Sequence, residues 1–301
     1  MSNSNIFDVI IVGGSYAGLS AAMALGRSLR NVLIIDSGEP CNKLTPYSHN
    51  FLTHDGAKPF EIAKQGKRQV LKYNTVKFIS GVAKKGYPGE QFIIELEKGK
   101  TFHSKKVLFA TGLKYTFPEI KGLTQCWGIS VVHCPYCHGY ETKNKKTGLL
   151  GNGDSGFDLS KFISNWTKDL TLFTNGKSTL TSEQTKKLNA HAIKIVENEI
   201  SHFDHEKGWL ERIVFKDGTK EKIKTVYARG EIKQHCEIPV ELGCELTEQG
   251  YIKIDDSCRT TMTGIYASGD NSTPFKAVSA AIAAGSKAGA MINKELIDES
   301  F

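Results

Sequence analysis

The segment FDVIIVGGSYAGLSAAMALGRSLRNVLIID, residues 7–36, constrains the fold more than any other part of the chain. Val9 to Val12 is an unbroken apolar run, the pattern of a strand buried on both faces of a parallel sheet. The turn Gly13-Gly14-Ser15-Tyr16-Ala17-Gly18 follows, and Leu19 to Leu29 reads as a helix rich in alanine and leucine. Val32 to Ile35 is a second apolar strand, closed by Asp36. Together they form a βαβ unit. Its glycine turn lets the backbone approach a pyrophosphate, whose charge sits at the helix N-terminus. An acid about twenty residues further on accepts hydrogen bonds from a ribose. Ser15 stands where the G-x-G-x-x-G pattern has its middle glycine, and serine is small enough to keep the approach close.

KNKKTGLLGNGDSGFDLSKFISNW repeats the design at residues 143–166. Gly148 to Leu150 predicts a short strand and Leu170 to Phe173 the next one. Between them, Gly151-Asn152-Gly153-Asp154-Ser155-Gly156 has the full glycine spacing, and Phe157 to Trp166 reads as a helix. The embedded GDSG also occurs around serine-protease nucleophiles. Ser155 here lies inside a strand–turn–helix phosphate loop, which argues against that role. Gly151, Gly153, Asp154, Ser155 and Gly156 are therefore candidates for a second, pyridine nucleotide site. After its second strand the chain offers Thr174-Asn175-Gly176-Lys177, with no arginine between Arg68 and Arg212. A 2′-phosphate is usually met there by arginine, and an unmodified ribose by an acid. Lys177 supplies only a point charge on a flexible stem.

Two further stretches belong with the first unit. VLFATGLKYTFPEI (107–120) is a strand followed by the tight turn Ala110-Thr111-Gly112. TGIYASGDNSTPFKAVSAAIAAGSKAGAMI (263–292) is a strand ending at Ser268-Gly269-Asp270, then a small-residue helix from about Lys276. Asp270 suits a polar ligand chain, and Ser279 and Ala280 sit where free helix amides favour negative charge. The simpler reading of that helix is a tightly packed Ala/Gly core element, and both readings are compatible. Short strands are expected at 78–81, 92–96, 101–103, 209–215 and 222–227. The fold class is α/β: two Rossmann-like, doubly wound, three-layer nucleotide-binding domains, the second inserted into the first. Residues 1–114 and 246–301 make the first domain and 115–245 the second.

The composition, 40% hydrophobic and 24% charged over 301 residues, is that of a globular protein with ample core. No apolar run is long enough to span a membrane. The start, MSNSNIFDVIIVGG, carries no basic leader, and the expected compartment is the cytoplasm. The net charge of +7 comes mostly from scattered lysines, not an arginine stripe interleaved with aromatics, so no nucleic-acid partner is expected. Seven widely spaced cysteines do not form a disulfide framework in such a compartment. Cys41, Cys126, Cys236, Cys244 and Cys258 each read as small buried apolar residues.

Only Cys134 and Cys137, in HCPYCHGYE, form a pair. Cys-x-x-Cys-His also marks c-type haem attachment, which requires export. CPYC is a glutaredoxin string, but there it follows the first strand of a small domain. Zinc requires four ligands, and no matching distant pair exists, so no metal is expected. A redox dithiol beside a bound flavin remains. A helix N-terminus lowers a thiol pKa, Pro135 suits the first turn, and His138 can exchange the proton.

The order of GGSYAGLSAA, Asp36, ATG, CPYC ahead of GNGDSG, and TGIYASGD resembles the low-molecular-weight thioredoxin reductase family of flavoproteins along the whole chain. The resemblance implies FAD in the first domain, a homodimer, and a dithiol that exchanges electrons with an external thiol pair. That partner is a thioredoxin-like protein or a small dithiol. By position Cys137 faces the flavin and Cys134 meets the substrate. The implied FAD contacts are Gly13, Gly14, Ser15, Tyr16, Ala17, Gly18, Asp36, Ser37, Asn50, Val82, Ala110, Thr111, Gly112, Gly269, Asp270, Ser279 and Ala280. Two departures stand out: His138 replaces the usual aspartate after the second cysteine, and the arginines of an NADPH site are missing. CPYCHGYE with a weakened nucleotide site is similar to the dithiol oxidase branch, which includes gliotoxin- and holomycin-type enzymes. Two enzymatic readings follow: a reductase using NADPH or NADH, or an oxygen-dependent dithiol oxidase. A flavin-binding regulatory protein without turnover would have no use for the cysteine pair.

Overall fold

The computed structural model describes residues 6–301. Residues 1–5, on which the leaderless reading of the N-terminus partly rests, lie outside the described residues. The chain runs β1 (Ile6–Val12), α1 (Tyr16–Arg27), β2 (Val32–Asp36), α2 (Pro59–Val70), β3 (Val76–Ser80), β4 (Ala83–Tyr87), β5 (Phe92–Leu96), β6 (Thr101–Phe109) and β7 (Leu113–Thr116). It continues through α3 (Leu123–Cys126), β8 (Val131–Val132), α4 (Pro135–Thr142), β9 (Thr147–Leu150), α5 (Gly153–Ile163), β10 (Leu170–Phe173), α6 (Ser182–Ala190) and β11 (Lys194–Val196). The last elements are β12 (Ile200–Glu206), β13 (Trp209–Phe215), β14 (Lys220–Lys222), β15 (Val226–Ala228), β16 (Glu231–Gln234), α7 (Ile238–Glu241), β17 (Ile265–Ala267) and α8 (Val278–Asp298).

The first sheet has the order β3-β2-β1-β6-β5-β4, with β17 also paired to β6. β3, β2, β1, β6 and β17 are mutually parallel. Their carboxyl ends therefore share one edge, where ligands of open α/β sheets bind. From Val9 onward, alternate residues of β1 serve two cores, and Phe7 joins the second. Val9 and Ile11 pack with Leu25, Ile34 and Ile292 on the α1/α8 side. Phe7, Ile10 and Val12 pack with Ile94, Ile238 and Ile252 on the other. The two strands expected around 101–103 and 107–109 are one strand, β6. Its N-terminal half pairs antiparallel with β5 and its C-terminal half parallel with β17.

The second sheet has the order β11-β10-β9-β15-β8, all parallel. Leu149 and Leu172 face α5 and α6 through Leu159, Ile163 and Leu188. Leu150 and Phe173 face the antiparallel β12-β13-β14 layer through Phe203, Leu210 and Ile213. The chain is thus two three-layer α/β domains, the second inserted into the first. The outgoing β7 and the returning β16 pair antiparallel, Leu113 opposite Gln234, and form a two-stranded link. Ile238, Leu242 and Cys244 are buried in the first core. We propose on this basis that the second domain closes at the link, near residue 234, not at 245. The apolar spacing of Ile238 to Cys244 does not reveal which core it enters.

Candidate active site

Five strand ends and the connecting link enclose one large cavity of about 940 Å³. Gly13, Ser15, Tyr16, Ala17, Asp36, Ser37, Asn50, Val82, Ala110, Thr111, Gly112, Gly269 and Asp270 all line it. Cys134, Cys137 and His138 line the same space from the second domain. The sequence thus places residues more than 250 positions apart around one volume, because most of them end a parallel strand or begin the helix after it.

Four expected residues do not line it. Gly18 packs beneath the turn, where a Cβ would collide with Gly13 O, and Gly14 backs onto Phe78 and Asp36. These glycines shape the turn. Ser279 and Ala280 also fall outside the lining. α8 starts at Val278, two residues later than expected, so Ala277, Val278 and Ala281 face the cavity and Ser279 faces solvent.

The first cradle is built for a dinucleotide. Gly14 N–H donates to Asp36 Oδ1 at 2.8 Å and Gly38 N–H to Oδ2 at 3.2 Å, fixing the carboxylate at the end of β2. Ser15 caps α1 without a side-chain hydrogen bond, so the first-turn amides are free for an anion. Asn50 adopts φ +58°, a backbone that asparagine tolerates, and its N–H donates to Asp55 Oδ1 at 2.7 Å. Burial pushes the Asp270 carboxyl up, opposed by the Lys276 ammonium.

Cys134 is the N-cap of α4, with Pro135 at its first position, and Cys137 sits one turn on. Cys137 N–H and His138 N–H donate to Cys134 O at 3.2 and 3.1 Å. The neighbouring Cys137 thiol pulls Cys134 down to about 7, helped by the Cys137 and Tyr136 amides against the cost of burial. Cys134, with burial, pushes Cys137 up. One reactive thiolate therefore faces one reserved proton, the division that thiol exchange uses. Gly139 is required behind them, since a Cβ would lie 2.6 Å from the Trp166 ring. Burial lowers His138 to about 4; Glu141 opposes the shift and His49 adds to it. His138 is therefore neutral at pH 7 and able to accept a proton.

Several lining residues carried no sequence signal. Tyr115, Trp127 and His133 stack as an aromatic wall, with ring centroids 5.2 to 5.5 Å apart. They come from β7, the end of α3 and the residue before Cys134, and only the fold unites them. Lys276 Nζ lies 4.7 Å from the Tyr115 ring centre. Cys41 is not a core residue. It is exposed and opens onto the cavity 3.9 Å from Asp270 Oδ2, whose charge helps push its thiol up. Cys236 also lines the cavity, whereas Cys126, Cys244 and Cys258 are buried as expected. Among the described residues no cluster of His, Cys, Asp or Glu could hold a metal, and no helix is long and apolar enough to cross a membrane.

Residues 7–285 match the pyridine nucleotide-disulphide oxidoreductase family. The chain belongs to that family. The oxidoreductase is 30% identical to thioredoxin reductase tcpT of Claviceps purpurea, across 99% of this chain and 96% of that protein. It is 31% identical to thioredoxin reductase sirT of Leptosphaeria maculans, across 96% and 94%. The crystal structure of a putative thioredoxin reductase, TrxB, from Bacillus anthracis superposes with a TM-score of 0.94 at 29% identity, covering 98% of this chain and all of that one. The oxidoreductase is a flavin-dependent disulfide oxidoreductase of the thioredoxin reductase type, and its family works with FAD and NAD(P)H.

The cavity fits FAD. Its volume lies in the range of cofactor sites. The Asp36 carboxylate and the free α1 amides suit a ribose and a pyrophosphate. FAD, when bound, supplies a two-electron carrier beside the dithiol.

The second cradle is different. Gly151 and Gly156 pack face to face, with a Cβ at Gly151 only 3.1 Å from Gly156 Cα. Asn152 Oδ1 accepts from Gly153 N–H and Thr179 N–H, both at 2.8 Å, and Asn152 Nδ2 donates to Lys177 O at 2.9 Å. Gln184 Nε2 donates to Asp154 Oδ1 at 2.7 Å. Side chains of the turn thus tie it to residues 177–184. Gly151, Gly153, Asp154, Ser155 and Gly156 lie away from the large cavity.

Proposed function

We propose that the oxidoreductase exchanges electrons with an external dithiol or disulfide through Cys134 and Cys137, drawing on NAD(P)H bound at the Gly151–Gly156 turn. The observation that carries this reading is the shared cavity: the dithiol and the dinucleotide cradle face one space. In the reductive direction the Cys134 thiolate attacks the substrate disulfide. One substrate sulfur leaves as a thiolate and a mixed disulfide forms. Cys137 then attacks Cys134 Sγ, the second substrate sulfur leaves, and a Cys134–Cys137 disulfide remains. His138 holds or returns the protons. Overall, NAD(P)H, a proton and a disulfide give NAD(P)⁺ and a dithiol.

The thiol partner is a thioredoxin-like protein or a small dithiol, and the enzyme works as a homodimer in the cytoplasm. The family resemblance supports the dimer.

A second reading, an oxygen-using dithiol oxidase, is favoured by one observation: Asn152 and Asp154 of the second cradle are engaged by the chain's own Thr179, Lys177 and Gln184. Anaerobic titration of the flavoprotein with NADPH and then NADH, following flavin absorbance, separates the two. Bleaching at near-stoichiometric nucleotide supports the reductase. No bleaching with either, but bleaching with dithiothreitol and recovery in air, supports the oxidase. If dithiothreitol also fails, both readings fall.

A further inference from the structure

Glu141 and His49 meet across the mouth of the cavity. Glu141 lies on α4, one turn beyond His138. His49 lies in the segment between β2 and α2, next to Asn50, and its ring lines the cavity with Cys137 and His138. His49 Nε2 is 3.7 Å from Glu141 Oε1, and His49 Nδ1 is 3.6 Å from Asp55 Oδ1. Both ring nitrogens of His49 thus face carboxylates, one from each domain. Asp55 is itself held by Asn50 N–H at 2.7 Å. Lys145 Nζ donates to Glu141 O at 2.6 Å, which anchors the end of the helix that carries it. His49 is 21% exposed and Glu141 42%, so the pair is open to solvent, and His49 shares the cavity wall with Cys137 and His138.

Thiol exchange requires such a route. A substrate thiol must lose its proton before its sulfur can attack a Cys134–Cys137 disulfide. That attack breaks the Cys134–Cys137 bond and releases Cys137 as a thiolate. The second substrate thiol then loses its proton and its sulfur attacks the mixed disulfide, releasing Cys134. Two protons leave the substrate. The reduced pair keeps one of them, on Cys137, while Cys134 stays a thiolate near neutral pH. The other proton has to go elsewhere, and His138 is the neutral imidazole beside the pair.

We propose that His49 and Glu141, contributed by opposite domains, are positioning residues that govern proton transfer at His138 during thiol exchange. The inference rests on the exchange reading above and names residues that reading does not use. Glu141 stabilises a proton on His138 from its own helix, while His49 opposes it from the facing domain. The other ionisable groups around His138 are Cys134, Cys137 and His133 from its own segment, Tyr227 of β15, which bonds Thr142 Oγ1 at 3.1 Å, and Asp55 behind His49.

The test compares Glu141→Gln and His49→Asn in the holoenzyme. The His138 titration is followed by NMR of ¹³C-histidine-labelled protein, its signal identified by loss in His138→Gln. The pH profile of dithiothreitol-driven reduction of the cysteine pair is measured alongside. Glu141→Gln should move the His138 transition and the acid limb of the profile to lower pH, and His49→Asn should move both to higher pH. Each displacement should be on the order of half a unit to one unit, the size expected for a neighbouring charge that is partly solvated. A merely structural role would not produce opposite signs. Shifts in the same direction, or none, with reduction by dithiothreitol intact, overturn the proposal. Failure of dithiothreitol to reduce the pair overturns the exchange reading instead, and the NMR transitions still decide the roles of His49 and Glu141. Thermal midpoints of both variants guard against misfolding, and His49→Gln provides a second substitution at that position.

Discussion

Gly13 lies so close to Ala110 that a Cβ on it would fall well inside contact distance of Ala110 O, and its φ of +106° is closed to other residues. Two constraints therefore fix one glycine at the end of β1. Gly13→Ala should strip the flavin and destabilise the first domain by more than about 2 kcal/mol, combining backbone strain with overpacking. The ratio of flavin to protein absorbance after purification, with a urea unfolding curve, checks both effects. Full flavin content with unchanged stability would contradict the packing described.

That glycine was legible in the sequence, as were Asp36, Ala110-Thr111-Gly112 and Gly269-Asp270, because each closes a hydrophobic strand with a residue whose chemistry suits a ligand. The dithiol was legible for a similar reason: the N-cap position and Pro135 are local features. What stayed hidden is what the fold brings together from a distance. His49 is one histidine in a loop until α4 places Glu141 opposite it. Cys41 reads as an apolar core residue until β17 brings Asp270 beside it. Ser279 and Ala280 fall just outside the cavity lining because α8 starts at Val278. A stretch of small residues gives no phase from which to count, so a two-residue error in the start turns a cavity-facing position to solvent.

The division of roles between the cysteines has a pH signature. The neighbouring Cys137 thiol is the leading cause of the low Cys134 value of about 7. Alkylation of reduced protein by iodoacetamide, read at the Cys134 peptide by mass spectrometry, should rise with a midpoint near that value. Cys137→Ala removes that thiol and should move the midpoint up by about one unit. Cys137→Ser keeps a hydroxyl donor and should fall between. A wild-type midpoint at the ordinary cysteine value would remove the shared proton from the argument.

His133 and His138 make the fold acid-sensitive. Burial lowers both to about 4, with Lys276 and His138 adding to the effect at His133. Between pH 4 and 6.5 the unfolded chain binds protons that the folded chain refuses, so stability rises with pH across that window and is lost as pH falls through it. Across that whole window each histidine contributes at most about 3 kcal/mol. Urea midpoints measured at pH 7 and pH 4.5 should therefore converge in His133→Asn relative to wild type. The difference between the two pH values is the informative quantity, because the substitution also loses ring contact with Trp127 at either pH. An unchanged difference would show that His133 is solvated.

The same substitution should have opposite effects at two helical glycines. In α8, Gly285 lets the helix cross α1 so closely that a Cβ would overlap the Ala17 carbonyl, and Gly289 does the same one turn later against Ala21. Ser20 Oγ also donates to Ile282 O at 2.7 Å across this crossing. Gly285→Ala should force the helices apart and cost about 1–3 kcal/mol. Ala17 opens α1 beside the cradle, so flavin affinity should fall as well. In α2, by contrast, a Cβ on Gly66 would meet only Leu19 at 3.4 Å, an ordinary contact. Gly66→Ala should therefore stabilise by about 0.5–1 kcal/mol, through helix propensity and a less free unfolded chain. Chemical unfolding of the two variants checks the pair. Losses at both positions would mean that α2 also packs too tightly to admit a methyl group. Gains at both would mean that the α1/α8 crossing is looser than the backbone contact between Gly285 and Ala17 implies.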